Sequence, residues 1–91
     1  MEIIYGIHKA KGGLIRAIQE VKKERIKEIN LSGDFTLYPK DCLEGLEGKF
    51  KGEIRKKGWL NSKIDEFYDK EKVQSPGVNS EDFLKAMKVE E

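Results

Sequence analysis

The chain opens with a short segment in which apolar and polar residues alternate. Residues 2–8 are rich in β-branched and aromatic side chains, and Ile3, Tyr5 and Ile7 recur with a period of two. This period predicts a β-strand, because successive side chains of a strand point to opposite faces. Residues 11–13 (Lys-Gly-Gly) then interrupt the pattern, and paired glycines favour a turn.

The next segment, residues 14–31, fits two secondary structures. Its apolar residues come close to one stripe of an amphipathic helix, and they are Leu14, Ile15, Ile18, Val21, Ile26 and Ile29. Against a helix, Ile29 and Leu31 alternate with polar neighbours, as in a strand. A β-hairpin would turn near residues 22–25, where no Asn-Gly or Asp-Gly pair is present. Intrinsic propensity slightly favours the helix, and the hairpin stays open as the alternative.

A break at residues 32–34 (Ser-Gly-Asp) separates this segment from a predicted helix. Pro39 stands where a helix tolerates proline best, at its first position. Apolar residues then follow at spacings of three and four, as on one helix face. They are Leu43, Leu46 and Phe50. The pattern predicts a first helix from Pro39 to about Lys51.

Two further helices are predicted towards the C-terminus. Asn61 or Ser62 can cap the second helix, and Asp65 would complete a capping box with Ser62. After a Ser-Pro-Gly turn, Asn79 or Ser80 can cap the last helix. The apolar faces of these helices consist of Ile64, Phe67 and Tyr68 in one and of Phe83, Leu84 and Met87 in the other.

Composition and charge restrict the function classes. Ninety-one residues suit one domain over residues 1–91. A net charge of +1 and a pI of about 7.8 argue against a nucleic-acid binder, whose pI usually exceeds about 9. The N-terminus lacks a signal-peptide pattern, and its apolar stretch is far shorter than the roughly 18 residues of a membrane span. We therefore expect a cytoplasmic domain that binds neither nucleic acid nor membrane.

The single cysteine and the single histidine form no recognisable site. Cys42 has no partner for an internal disulfide, and with His8 it supplies too few ligands for zinc. Cys42 would be the third or fourth residue of the first helix, where the dipole can lower a thiol pKa, so a sulfur-carrier role is open. A small packing residue is the simpler interpretation. We interpret His8 as a surface or strand-end histidine.

The remaining candidate motifs are weak. Residues 11–14 (Lys-Gly-Gly-Leu) lack the spacing of known phosphate-binding loops, so an ordinary glycine turn is favoured. Within the irregular segment 52–58, residues 55–57 (Arg-Lys-Lys) form a basic run that lies close to Trp59 in the sequence. We interpret it as a solvated face with Trp59 as a partial core anchor, rather than as an RNA-binding site. The chain thus shows no catalytic, metal or cofactor site of its own.

Several segments, taken in order, form the most specific pattern of the chain. They are residues 11–17 (Lys-Gly-Gly-Leu-Ile-Arg-Ala), 26–35 (Ile-Lys-Glu-Ile-Asn-Leu-Ser-Gly-Asp-Phe), Pro39, 43–48 (Leu-Glu-Gly-Leu-Glu-Gly) and 77–86 (Gly-Val-Asn-Ser-Glu-Asp-Phe-Leu-Lys-Ala). This order resembles the C-terminal accessory domain of lipoate–protein ligases. Its most specific part is Gly-Asp-Phe at a fixed distance after Gly-Leu-Ile-Arg.

The resemblance implies a fold. In this family residues 14–31 correspond to a β-hairpin, which gives strands at about 14–21 and 25–32. The fold class is then α+β, with a small antiparallel sheet (three strands, the N-terminal strand plus the hairpin) packed against about three helices. The chain departs from the family at the turn, where residues 23–24 (Lys-Glu) replace the usual Asp-Gly or Asn-Gly. Cys42 matches no family motif.

The resemblance also implies a function. In the family the lipoate pocket, the ATP site and the catalytic lysine belong to a large domain that this chain lacks. We expect a non-catalytic accessory subunit, required with a large catalytic subunit for ATP-dependent activation of lipoate to lipoyl-AMP. Lipoate, ATP and Mg²⁺ would be bound by that partner and no cofactor by this chain, with lipoyl-domain acceptor proteins as indirect partners. Met1 directly before the first strand favours the separately encoded small subunit typical of archaea over an excised domain. A persulfide acceptor using Cys42 is the alternative.

We expect the large subunit to contact one end of the hairpin. The start of its first strand and the end of its second lie together because the strands are antiparallel. That end gathers Lys11, Gly12, Gly13, Arg16, Gly33, Asp34 and Phe35. Arginine and aromatic residues are enriched at interface hot spots. Two alternatives stay open, namely that Phe35 turns into the core while Asp34 shapes the turn, or that docking uses residues 55–59.

Overall fold

A computed structural model of the chain describes residues 1–39 and 41–89. The strands are β1 (Glu2–Ala10), β2 (Gly13–Lys22) and β3 (Arg25–Gly33), and the helices are α1 (Cys42–Phe50), α2 (Lys57–Glu71) and α3 (Ser80–Ala86). The three strands form one antiparallel sheet in the order β1-β2-β3, α1 and α3 pack on one of its faces, and α2 packs on α1 and α3. The predicted α+β fold is confirmed. No helix within the described residues is long and apolar enough to cross a membrane.

Residues 14–31 form the hairpin, so the helix favoured by propensity alone is wrong. Lys23 and Glu24 make the turn with φ angles of 50° and 65°. Two positive φ angles give a turn whose twist matches that of the flanking strands. Such angles cost an ordinary residue roughly 1–2 kcal/mol, and here exposed polar residues adopt them where glycine is usual.

A bulge in β3 explains why the sequence pattern looked helical. Glu28 lies opposite Glu20 and Ile26 lies opposite Val21, so Lys27 is one residue extra. Without a bulge, alternate residues of a strand share a face. One extra residue breaks this alternation, so the residues before it lie on the opposite face from the one that strict alternation would give. Ile26 and Ile29 are therefore both buried although they are three residues apart, which is a helical spacing.

The inner face of the sheet is unusually close to α3. A Cβ atom at Gly6 in β1 would overlap the carbonyl oxygen of Ala86 in α3. Only glycine permits this approach of helix to strand backbone. The inner face and the helices together bury one apolar core that includes Ile15, Ala17, Ile26, Leu31, Leu46, Phe50, Leu60, Ile64, Phe83, Leu84 and Met87.

Helix α1 begins later than predicted. Its first residue is Cys42, whereas Pro39 lies outside the helix. The cause is tertiary, because Tyr38 and Gln74 exchange two backbone hydrogen bonds of 2.8 Å and hold the chain extended before Pro39. Asp41 occupies the cap position with a φ of 72°.

Helix α2 begins earlier than predicted, and only the last helix has the expected cap. Lys57 starts α2, so Asn61 and Ser62 lie inside it and the capping box with Asp65 is wrong. Asn61 instead accepts a hydrogen bond of 2.7 Å from Ser80 Oγ at the start of α3. In α3 the predicted cap at Asn79 is confirmed. The Asn79 side chain accepts from the Asp82 amide at 3.1 Å, and the Asp82 side chain accepts from the Asn79 amide at 2.9 Å.

Candidate partner interface

The sheet face opposite the helices carries large apolar side chains that the described residues leave uncovered. Ile3, Tyr5 and Ile7 of β1 are 61%, 51% and 50% exposed, and Ile18 of β2 is 45% exposed. These four residues, named the outer apolar face below, are contiguous because Tyr5 lies directly opposite Ile18. A contiguous exposed apolar patch marks an interaction site more often than scattered apolar residues do.

The outer apolar face has a polar border on β3. Asn30 lies opposite Ile18, and Ser32 lies opposite Arg16. Arg16 in turn lies opposite Ile7. An apolar centre with a polar rim is the usual arrangement of a protein–protein interface. The period-two pattern of β1 predicted a strand. That pattern does not indicate which face of the strand is covered by the rest of the chain.

The residues expected to contact the partner do lie together at one end of the hairpin. The Asp34 amide donates to the Leu14 carbonyl at 2.8 Å, which joins the end of β3 to the start of β2. Gly13 and Gly33 have φ angles of 138° and 140°, and a Cβ at either would overlap the carbonyl oxygen of Asp34 or Leu14. These glycines therefore serve the close approach of two segments of this chain.

Two more of these residues also make internal contacts. The Gly12 amide donates to the Gly77 carbonyl at 2.8 Å. The Phe35 ring packs edge to face on Phe83, with 5.7 Å between ring centroids and planes at 80°. Such aromatic pairs stabilise a core by about 0.5–1.5 kcal/mol beyond the area they bury. Phe35 therefore turns towards the core, as one of the two alternatives held.

The exposed members of the predicted set are Gly33 and the three charged residues. Lys11, Arg16 and Asp34 are exposed. Arg16 borders Ile7 and so joins this end of the hairpin to the outer apolar face. Contact of the seven predicted residues with a partner stays a prediction.

Cys42 does not have the environment of a reactive thiol. It is half-buried against the core at the first residue of α1. Burial raises the pKa of the Cys42 thiol above its ordinary value of 9.0, and the carboxylates of Asp41 and Glu71 add to that effect. The pKa-lowering influence expected at a helix start is outweighed, and a thiol with a raised pKa is a poor nucleophile at neutral pH.

Arg55 has a structural role, which corrects its interpretation as part of a solvated face, whereas Lys56 and Lys57 are exposed as expected. The Arg55 guanidinium donates to the Met87 carbonyl at 2.6 Å and to the buried Gln19 side chain at 3.3 Å. Gln19 also donates to the Met87 carbonyl, at 2.9 Å. Burial lowers the pKa of Arg55. This network ties the end of α3 to the centre of the sheet.

Trp59 is not the partial core anchor that was expected. It is 49% exposed, and its indole nitrogen donates to Glu53 at 2.8 Å. Lys63 Nζ lies 5.0 Å from the ring centroid, a cation–π contact. The ring is therefore held at the surface by charged neighbours.

Two other polar features give no chemical centre. His8 Nε2 lies 2.9 Å from Asp82 Oδ1, which joins β1 to the cap of α3. An open cleft of about 650 Å³ lies beside the hairpin turn and is lined by Met1, Glu2, Val21, Lys22, Lys23, Glu24, Ile54, Arg55 and Lys56. Residues 1–39 and 41–89 contain no group of three His, Cys, Asp or Glu side chains placed to hold a metal ion.

Comparison with known proteins decides the family. No family model matches the chain. The chain is 42% identical over 81 residues to "Lipoate-protein ligase A subunit 2" of Thermoplasma acidophilum, covering 89% of this chain and 83% of that protein. This chain belongs to the lipoate–protein ligase A subunit 2 family. The family recognised from its sequence motifs is thus confirmed.

A solved structure supports the same family. The fold superposes with a TM-score of 0.85 on a chain from a structural analysis of an archaeal lipoylation system, a bi-partite lipoate protein ligase and its E2 lipoyl domain from Thermoplasma acidophilum. The sequences are 37% identical, and the match covers 94% of both chains. The three-stranded sheet and the helices of this chain therefore have counterparts in that structure over nearly the full length of both chains.

Proposed function

We propose that this chain is the non-catalytic accessory subunit of a bipartite lipoate–protein ligase. With a large catalytic subunit it supports ATP-dependent activation of lipoate to lipoyl-AMP, in the cytoplasm, for transfer to lipoyl-domain proteins. The observation that carries the proposal is a 94% match to a chain from a bi-partite ligase structure, in a domain whose outer apolar face has no cover among its described residues. The proposed reaction is inferred from the family, and the need for a partner subunit is inferred from the exposed outer apolar face.

The proposed contribution to the reaction is conformational. A lipoate carboxylate oxygen attacks the α-phosphorus of ATP, the new P–O bond forms, and pyrophosphate leaves. This step needs the reactants held in line with water excluded. We assign lipoate, ATP and Mg²⁺ to the large subunit. The accessory subunit can favour the closed arrangement only by the difference between its affinities for the closed and open forms.

Reconstitution tests the proposal. Pyrophosphate release is measured with lipoate and Mg·ATP for the small chain, the large subunit and their mixture. We expect no release from the small chain, little from the large subunit and a large increase in the mixture. Pyrophosphate release by the purified small chain alone, or a mixture no faster than the large subunit, would contradict the proposal. Transfer from preformed lipoyl-AMP serves as the control, since it bypasses activation and should depend less on the small chain.

A further inference from the structure

One edge of the sheet has free backbone groups on the same residues that carry the outer apolar side chains. The Leu14 carbonyl bonds towards β3, and successive residues of a strand direct their backbone groups to opposite sides. Ile15, Ala17 and Gln19 therefore bond towards β1, where they face His8, Gly6 and Ile4. The intervening residues of β1 direct their N–H and C=O groups away from the sheet. These residues are Ile3, Tyr5, Ile7 and Lys9.

The opposite edge of the sheet is covered. The Leu31 amide donates to Glu47 of α1 at 2.6 Å. The Ile26 amide donates to the Glu53 carbonyl at 2.9 Å, and the Ile26 carbonyl accepts from the Gly52 amide at 2.7 Å. Within residues 1–39 and 41–89, no backbone group outside the sheet bonds to β1 in this way. Proteins usually protect long edge strands, and an open, apolar, nine-residue edge has the backbone groups that strand addition requires.

We infer that the large catalytic subunit docks by adding an extended strand to the free edge of β1, an inference that rests on the proposed function. The added strand would hydrogen-bond to the backbone of Ile3, Tyr5, Ile7 and Lys9. Its own side chains on the same face would pack beside Ile3, Tyr5 and Ile7 and extend the outer apolar face, because residues opposite each other in a sheet share a face. The body of the large subunit behind that strand would then cover the extended face, including Ile18. The result is a four-stranded sheet shared by the two subunits.

Charge favours the large subunit over a second copy of this chain as the occupant. Among the described residues, Lys9, Lys11 and Arg16 form no ion pair, and all three lie near the C-terminal end of β1. A second copy would pair antiparallel. In such a pair, the residues of one β1 whose backbone groups point away from the sheet lie opposite the corresponding odd-numbered residues of the other β1. The odd-numbered residues 1–9 contain no carboxylate, so no such register places an acid opposite Lys9. The register that aligns Tyr5 with its copy places Lys9 opposite the Met1 side chain, which offers it no carboxylate.

These observations specify the chemistry of the docking strand. It carries apolar residues at alternate positions, facing Ile3, Tyr5 and Ile7, and an aspartate or glutamate facing Lys9. Neighbouring acidic groups would complement Lys11 and Arg16. The aligned cross-strand pairs would add to the stabilisation that the backbone hydrogen bonds give.

Amide hydrogen exchange of the unmodified chain, resolved by residue and measured with and without the large subunit, tests the inference directly. We expect the edge-facing amides of Ile3, Tyr5, Ile7 and Lys9 to exchange at least about tenfold more slowly in the complex. The amides of Ile4, Gly6 and His8, already bonded to β2, provide the internal control and should change much less. If the complex forms and releases pyrophosphate while the edge-facing amides gain no protection, the inference is wrong and the proposed function stands.

A proline variant gives a second test. Ile7→Pro removes an edge-facing N–H without removing a β1–β2 hydrogen bond, and edge strands tolerate such a proline. Ile7→Thr is the matched control, because it keeps the N–H and a β-branched side chain. With folding checked by circular dichroism, Ile7→Pro should weaken binding to the large subunit at least about tenfold relative to Ile7→Thr. Equal affinities of the two variants would overturn the inference. The inference would also be wrong if the free chain sediments as a dimer and its edge-facing β1 amides already exchange slowly, since the strand on that edge would then belong to a second copy.

Discussion

The two faces of the sheet use similar side chains for opposite purposes. On the inner face, Ile15, Ala17 and Leu31 are 0%, 0% and 3% exposed beneath the helices. On the outer face, Ile3, Tyr5 and Ile18 remain about half exposed, although they belong to the same sheet. Apolar residues at strand spacing fold this chain on the inner face, whereas on the outer face the proposed docking would have them form a second core with the partner.

The largest effect should come from truncating the inner face. Ile15→Ala removes a fully buried side chain, and such substitutions cost about 2–5 kcal/mol through lost burial and the cavity left behind. Ile7→Ala on the outer face should change the free energy of unfolding by less than about 0.5 kcal/mol. Urea denaturation of the two variants measures both values. Similar losses of stability would remove the distinction between the faces.

For binding to the large subunit, in contrast to stability, substitutions on the outer face should have the larger effect. Ile18→Asp places a carboxylate in the centre of the outer apolar face, where docking would bury it without a partner. We expect at least about a hundredfold loss of affinity for the large subunit, or about 2.7 kcal/mol. Asn30→Asp, directly opposite on the polar border, adds the same charge on the same face and should cost less than tenfold. Calorimetric titration distinguishes the two, and equal losses would indicate a general charge effect.

Cys42 provides a test on the inner side, with a signature in pH. Cys42→Ser should lower the free energy of unfolding by about 1–2 kcal/mol and leave lipoylation by the reconstituted pair nearly intact. Loss of activity with the fold retained would instead favour the persulfide-acceptor alternative. In the folded chain the pKa of the thiol lies above the ordinary 9.0, so the folded state retains the proton more strongly than the unfolded state. The thiol's contribution to stability is therefore complete below pH 9.0 and is lost as pH rises through the folded pKa, and Cys42→Ser should abolish this part of the alkaline decline.

The smallest effects should come from the charged residues at the hairpin end. Arg16→Ala and Asp34→Ala should each weaken binding to the large subunit by a few-fold and reduce adenylation, because exposed charges at an interface rim contribute about 1 kcal/mol or less. Circular dichroism controls for folding, and transfer from preformed lipoyl-AMP should suffer less. Unchanged affinity in both variants would remove this end of the hairpin from the interface, while the β1 edge is tested independently.

Local sequence rules predicted several features of this protein correctly. The β1 strand, the Asn79 cap and the existence of three helices follow from patterns within a few residues, because they depend on neighbouring backbone and side chains. The hairpin was recovered only through the family motifs. The extra residue Lys27 gives Ile26 and Ile29 a helical spacing, and residues 23–24 lack the usual turn residues.

By itself the sequence determined the family, the α+β class and the alternation of β1, since each is written in motifs or in periods of a few residues. Tertiary structure alone decided which half of that alternation is covered. Gly6 admits α3 against the backbone of β1, so the helix packs on the face with the smaller side chains and Ile3, Tyr5 and Ile7 point outward. The pairing of Tyr38 with Gln74 likewise moved the start of α1 beyond Pro39. Both outcomes depend on contacts between residues far apart in the chain, and such contacts leave no period in the local sequence.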